Sequence, residues 1–193
     1  MKKVNILESV TAEYTSKPDQ KNIWIGTPFE KLVLRSSDER GHWGENLVYR
    51  LIEYLLPTLH LFWDSNKNTS NEDGSIWDMI INVFRTEIKT AFLGSGGTFQ
   101  HENLYEDKEW DKVLFVDVVP DGIWFTVQTK SDIPFGESRH KILNVVSTRH
   151  LSGHKFDLSP YRCKKLLDSG SSFFFDLKDD DGLKNFLELH FSE

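Results

Sequence analysis

The chain has 193 residues, of which 38% are hydrophobic, 13% aromatic and 27% charged, a composition typical of a globular protein rather than a disordered or fibrous one. Its net charge of −7 argues, as an average, against a nucleic-acid partner. No apolar run reaches the roughly 18 residues of a membrane helix, and no apolar core follows the first lysines, so we expect neither a membrane span nor a secretory signal. The single cysteine, Cys163, excludes an internal disulfide and a cysteine-based zinc site. We therefore expect a cytoplasmic protein.

The first 37 residues lead up to the first clear helix, and within them "NIWIGTPFEKLVL" predicts a strand or a short helix. The next stretch, "SSDERGHWGENLVYRLIEYLLPTL", is the clearest helix, because serines and an acid can cap its start and Pro57 ends it. At about 100° per residue, its apolar side chains share one arc. Glu45 lies at the edge of that arc, so this carboxylate borders whatever the helix packs on.

Two strands are predicted next, after the polar turn region "NKNTSNEDG". The segments "SIWDMIINVF" and "FRTEIKTAFL" are rich in β-branched and aromatic residues, which favour strands. We expect them to form a hairpin that turns near Phe84 and Arg85. The glycines of "GSGG", residues 94–97, end the second strand, and no GK[ST] sequence follows, so an ATP-binding loop is not expected.

The rest of the chain predicts further helices and strands. "QHENLYEDKEWD" has the pattern of a helix of two to three turns, whereas "KVLFVDVV" is apolar enough for a strand buried on both faces. "IWFTVQTK" predicts another strand, and "YRCKKLLDSG" and "GLKNFLELHF" predict short helices after a loop region. The predicted fold class is therefore α/β (α+β), with a central mixed β-sheet flanked by helices, in one domain spanning residues 1–193.

Three charged residues stand inside the two hairpin strands. Glu87 and Lys89 point to the same face of their strand because strand side chains alternate, and the hairpin would bring Asp78 close to Glu87. Neighbouring carboxylates repel each other unless a cation lies between them or one is protonated. Oxygen ligands suit a hard ion such as Mg²⁺ or Mn²⁺, and a lysine beside it could orient or deprotonate water or stabilise charge on a phosphate. The pattern predicts metal-dependent phosphodiester hydrolysis.

The residues Asp78, Glu87, Ile88 and Lys89, preceded by an acid-bearing helix, resemble the PD-(D/E)XK nuclease superfamily. This superfamily includes type II restriction endonucleases, junction resolvases and repair nucleases. The resemblance covers about residues 38–130, and Trp77 stands where the family's usual proline precedes the first acid. It implies a restriction-endonuclease-like core.

The resemblance also implies roles for individual residues. Mg²⁺ would be bound by Asp78, Glu87 and Glu45, and we expect Mn²⁺ to substitute for it. Lys89 would act on the attacking water, so that Glu45, Asp78, Glu87 and Lys89 form the catalytic set. Two further candidates are Gln100 and His101, because related nucleases often place a polar residue near the active site there.

A basic segment interrupts the acidic chain. From residue 122 to 165 there are eight Lys and Arg residues against three acids. Such a segment on an acidic body is typical of a surface that approaches an anionic ligand, and equally of a solvated loop region. We predict a DNA-recognition region at about residues 130–165, with five candidate contacts: Lys130, Arg139, Lys141, Arg149 and Lys155.

The expected function is a Mg²⁺-dependent DNA endonuclease of the type II restriction kind, acting on double-stranded DNA as a homodimer, since two-fold symmetry matches a palindromic site. One alternative is a structure-selective junction or repair nuclease. Another is a non-catalytic DNA-binding module of the same fold.

Structural roles for these residues are also open. Asp78 could cap a turn, and Glu87 and Lys89 could pair on a solvated strand face. The spacing of His150 and His154 is compatible with zinc ligands, but no acidic third ligand accompanies them, and with His140 they fit polar loop residues better. We expect Cys163 to be a small core residue.

Overall fold

The computed structural model describes residues 23–63, 77–133, 135, 144–147 and 154–192. The helices of this part of the chain are α1 (Ser37–Leu55), α2 (Pro160–Leu167) and α3 (Asp180–Phe191). Its strands are β1 (Leu61–Trp63), β2 (Met79–Ile81), β3 (Phe84–Phe92), β4 (Phe99–Leu104), β5 (Lys112–Val119), β6 (Gly122–Thr129), β7 (Asn144–Ser147), β8 (His154–Leu158) and β9 (Ser172–Phe175). Among the described residues, none of the helices combines the length and the apolar composition that a membrane-spanning helix needs.

A six-stranded mixed sheet forms the centre of the fold, in the order β1-β2-β3-β5-β6-β9. Strands β3 and β5 run parallel, and the other neighbouring strands run antiparallel. All residues of β5 after Lys112 are buried, as its continuous apolar sequence predicts. The predicted central mixed sheet flanked by helices is therefore confirmed.

The two faces of this sheet are covered differently. Helices α1 and α3 pack on one face, where Val48, Ile52 and Leu187 join Leu114 and Val116 in the larger apolar core. The opposite face is covered by a second sheet of three strands, in the order β4-β8-β7, together with α2. Much of the cover that the sequence assigns to helices is therefore supplied by a sheet.

The helix predicted from residue 100 to 111 is wrong, because its first part forms β4. His101 and Leu104 are buried while Gln100 and Glu102 are exposed, and this alternation suits a strand. Strand β4 pairs with β8, more than fifty residues later in the chain, so its hydrogen-bonding partner is not visible in the local sequence. Strands β7 and β8 lie in the predicted loop region, and β9 is a strand that the sequence analysis missed.

The hairpin differs from its prediction in two details. Ile81 pairs with Phe84, so the turn is formed by Asn82 and Val83, two residues earlier than expected. Asn82 has a φ of 57°, a left-handed conformation that asparagine tolerates better than most residues. The stretch 22–34 is expected as a strand or short helix, but its residues 25–34 instead follow consecutive turns.

Helix α1 begins with a capping box, in which Ser36 and Glu39 each accept a hydrogen bond from the other's backbone amide. The helix lies unusually close to β3 at Gly44. A Cβ atom at Gly44 would lie 1.8 Å from the Thr90 hydroxyl oxygen, so only glycine permits this approach. Because Glu45 follows directly, the contact sets how near its carboxylate lies to β3.

A small group of polar side chains is buried between the two sheets. His101 on β4 lies 2.9 Å from the Asp117 carboxylate on β5, and both side chains are almost completely buried. Burial raises the pKa of Asp117, whereas His101 acts to lower it. Cys163 on α2 is buried nearby, and its pKa is raised to about 12, first by burial and then by the charge of Asp117. This contact between His101 and Asp117 links β4 to the central sheet.

The close contact at Gly44 leads to a test of how α1 is held. We expect Gly44→Ala to lower the free energy of unfolding by about 1–3 kcal/mol, because the new methyl group collides with Thr90. Gly41→Ala is the matched control, since a Cβ there meets nothing within 4 Å. It should raise stability by roughly 0.5–1 kcal/mol through helix propensity. Urea denaturation measures both, and equal effects would contradict the close approach.

Candidate active site

A polar cleft of about 790 Å³ opens between the start of α1, strand β3, the loop after β3 and strand β4. Its lining includes Glu45, Asp78 and Lys89 of the predicted catalytic set. Glu87 joins them through an ion pair with Lys89. Residues that are far apart in the sequence therefore meet at one end of the β2–β3 hairpin.

Asp78 lies where β2 separates from β3. Its backbone amide still bonds to the Thr86 carbonyl oxygen at 3.1 Å, which closes the ladder between the two strands. The next β3 amide on that side, Ile88 N–H, donates to the Asp78 carboxylate at 2.8 Å. An unpaired backbone amide inside a protein is costly, and here the side chain replaces the missing strand. The hydrogen bond holds Asp78 toward β3.

Glu87 and Lys89 project from the same face of β3, as the strand alternation predicts. The Lys89 Nζ atom lies 2.6 Å from Oε1 of Glu87, with side-chain exposures of 17% and 9%. The alternative of a pair on a solvated strand face is therefore wrong, because both groups are withdrawn from water. A charged pair needs close partners to persist in such a place.

The protonation behaviour of Glu87 reflects its burial first and the negative charge around it second. Burial, followed by repulsion from Asp78, raises the pKa of Glu87 to about 7, although Lys89 acts in the opposite direction. For Lys89, burial acts to lower the pKa, but attraction to Glu87, Asp78 and Glu45 outweighs it and raises the pKa. The acids around this lysine carry more negative charge than the lysine offsets.

Glu45 reaches the cleft from the helix rather than from the sheet. The residue is buried, and its Oε2 accepts a hydrogen bond of 3.2 Å from the indole N–H of Trp63 on β1. The Trp63 ring also packs against His42 and Tyr49. Trp63 was missed by the sequence analysis because its contact with Glu45 depends on the pairing of β1 with β2.

The donor atoms fit a hard divalent cation. Asp78 and Glu87 offer carboxylate oxygens whose mutual repulsion such a cation would offset. No group of three or more His, Cys, Asp or Glu side chains in the described residues is arranged to hold a metal ion. Mg²⁺ does not need such a group, since it is often bound by one or two carboxylates, with water and phosphate oxygens as its other ligands.

The two further candidates on β4 have different surroundings. Gln100 is exposed and lines the cleft, where it is accessible to a ligand. His101 also lies at the cleft wall, but its ring is buried and lies 2.9 Å from the Asp117 carboxylate, so its position is explained by packing inside the fold.

The predicted DNA contacts are only partly described. The Lys130 ammonium bonds to the Lys108 carbonyl oxygen and lies 5.2 Å from the centre of the Trp110 ring, so it is held against the protein. Lys155 pairs with Glu102, which lines the cleft, and this places Lys155 near its rim. Arg139, Lys141 and Arg149 lie outside the described residues, as do His140, His150 and the side chain of His154.

The start of α1 contributes cleft residues that the sequence analysis did not propose: Ser37, Asp38, Arg40, Gly41 and His42. The helical spacing of the sequence could have identified part of this set. Residues three, four and seven positions before Glu45 share its face of the helix, which includes Asp38 and His42. From the sequence, Asp38 is expected only as a capping or first-turn acid, and no role is expected for His42.

No family model matches the chain, and no curated protein matches it at a significant level. The chemistry of the cleft is therefore argued from its residues.

The hydrogen bond between Trp63 and Glu45 is open to a double-mutant test. We expect Trp63→Phe and Glu45→Ala to show a coupling free energy of about 1–2 kcal/mol, because Phe keeps the ring but removes the N–H donor. Trp43→Phe is the control, since that ring packs against Phe29 and Phe92. It should show almost no coupling to Glu45→Ala. Urea denaturation of the single and double variants gives these values, and zero coupling for Trp63 would exclude the bond.

Proposed function

We propose that the protein is a Mg²⁺-dependent DNA endonuclease that hydrolyses phosphodiester bonds. The observation that supports this most strongly is the meeting of Asp78, Glu87, Lys89 and Glu45 at one end of the hairpin, beside an open polar cleft. Buried charges without a partner network are unfavourable, so a fold that gathers three acids around one lysine requires an explanation. A cation-assisted reaction on a phosphate supplies one.

Each residue has a role in this proposal. Asp78 and Glu87 would hold the ion, and Glu45 would complete the acidic cluster from the helix side. The chemistry that Mg²⁺ supplies when bound is stabilisation of the negative charge that develops on the phosphate oxygens. The Lys89 ammonium would orient water or stabilise that charge, and the Asp78–Ile88 hydrogen bond keeps one carboxylate aimed at the site.

The preferred substrate is double-stranded DNA with a specific sequence, cut by a cytoplasmic enzyme of the restriction type. A homodimer would bring one cleft to each strand of a palindromic site. The region of residues 130–165 would supply DNA contacts, and Lys155 is bound to Glu102 of the cleft lining. A structure-selective nuclease would use the same chemistry on branched DNA.

The substrate class can be tested with purified protein and Mg²⁺. Incubation with mixed plasmid DNA should give discrete fragments if the enzyme is sequence-specific. Selective cutting of branched DNA would instead indicate a junction or repair nuclease. Binding without cutting in Mg²⁺ and in Mn²⁺ would indicate a non-catalytic DNA-binding module.

The carboxylates can be tested with variants chosen for shape. Asp78→Asn and Glu87→Gln should abolish cleavage while DNA binding remains measurable, because each removes negative charge with little change in size. Asparagine also keeps an oxygen that can accept the Ile88 amide hydrogen bond. Circular dichroism and thermal melting should match the parent, and normal turnover by either variant would refute the assignment.

Lys89 has a separable role in the same reaction. We expect Lys89→Met to lose cleavage but retain affinity for Mn²⁺, because the ammonium is not a ligand and competes with a cation for Glu87. Calorimetric titration with Mn²⁺ and single-turnover cleavage together separate binding from chemistry. A large fall in Mn²⁺ affinity would show that Lys89 shapes the metal site instead.

A further inference from the structure

The charges of the cleft are unevenly balanced. Its acidic lining residues are Asp38, Glu45, Asp78 and Glu102. The lysine and arginine side chains among its described lining residues are Lys89 and Arg40. Lys89 is bound to Glu87 at 2.6 Å, so Arg40 is the cation to consider for a phosphate. Any nucleic acid that reaches Asp78 must bring phosphates into this acidic surrounding, and a free cation there would matter for binding.

Arg40 meets that requirement. It is the fourth residue of α1 and is half-buried, and within the described parts of the chain no carboxylate pairs with it. Its guanidinium lies 5.4 Å from the centre of the Phe92 ring, at the end of β3. A contact of this kind orients the planar guanidinium and leaves its N–H donors available.

The nearby Arg35 shows the difference. Its guanidinium pairs with Glu39 at 3.3 Å, and its side chain is 62% exposed. Arg35 does not line the cleft, whereas Arg40, in the same region of the chain, does. The two arginines thus offer one side chain inside the cleft and one outside it.

The geometry points to Arg40 as a substrate-positioning residue that binds a backbone phosphate of the DNA in the cleft, next to the phosphate that is cut. This inference rests on the proposed nuclease function, and it names a contact outside the basic region of residues 130–165. Guanidinium groups bind phosphate oxygens through two parallel hydrogen bonds, so the contact fixes the position of the strand as well as adding affinity. Arg40 touches no reacting atom and acts by placing the strand.

The effect on binding follows from counterion release. Neutralising one phosphate of duplex DNA contributes about 0.9 to the slope of log affinity against log salt. If that contact has no other free energy at 1 M salt, its loss weakens binding about eightfold at 0.1 M salt. The loss should be the same for every DNA sequence, because a phosphate carries no sequence information.

The experiment measures binding of a fluorescent DNA duplex across a salt series at a fixed calcium concentration. Arg40→Gln removes the charge and keeps an aliphatic stem near Phe92, and it should flatten the slope by about 0.9. Arg40→Lys should retain the parent slope, since the charge remains. Arg35→Ala is the matched control and should leave the slope unchanged. In Mg²⁺, Arg40→Lys should still reduce the cleavage rate, because the paired hydrogen bonds are lost.

The outcomes separate this inference from the proposed function. If the parent binds DNA and Arg40→Gln keeps its slope, Arg40 does not bind a phosphate, and the nuclease proposal is unaffected. If Arg40→Gln and Arg35→Ala flatten the slope equally, the effect is general surface charge and the inference is overturned. If the parent does not bind DNA at all, both proposals fail. Thermal melting of Arg40→Gln confirms that the variant remains folded.

Discussion

The shape of the cleft depends on the hydrogen bond from the Ile88 amide to the Asp78 carboxylate. Strand β3 pairs with β5 along most of its length, but β2 pairs only with its first residues. An edge amide left at that point would be unsatisfied, and Asp78 satisfies it from the end of β2. The two strands can therefore diverge, and Asp78, Ile88 and Lys89 at this position line the polar cleft.

The second requirement is the close approach of α1. Gly44 lets the helix lie against Thr90, so Glu45 reaches the same space as Lys89 from the helix side. Trp63 then fixes the direction of that carboxylate from β1. Acids from α1, from β3 and from the start of β2 thus surround one lysine, and the proposed chemistry requires all three.

Much of the central sheet is predictable because its signals are local. The apolar run of β5 and the capped, amphipathic pattern of α1 identify both elements without reference to the rest of the chain. The same holds for Glu87 and Lys89, whose common face follows from strand geometry alone. Strand β4 was mistaken for a helix because its sequence is mostly polar, including the buried His101, and because its partner β8 is distant in sequence. The contact of Trp63 with Glu45 escaped prediction for the same reason, since pairing between distant strands is not encoded in a local period.

The burial of Cys163 has a practical consequence for studying the cleft. A thiolate is the form that reacts with alkylating reagents, and a buried thiol with a pKa of about 12 forms almost none at neutral pH. Cys163 is also the single cysteine in the sequence. A cysteine introduced at the exposed Ser95, on the loop that borders the cleft, would therefore be the one reactive thiol of the protein. A fluorophore or spin label attached there would report distances to a labelled DNA without any prior replacement of the native residue.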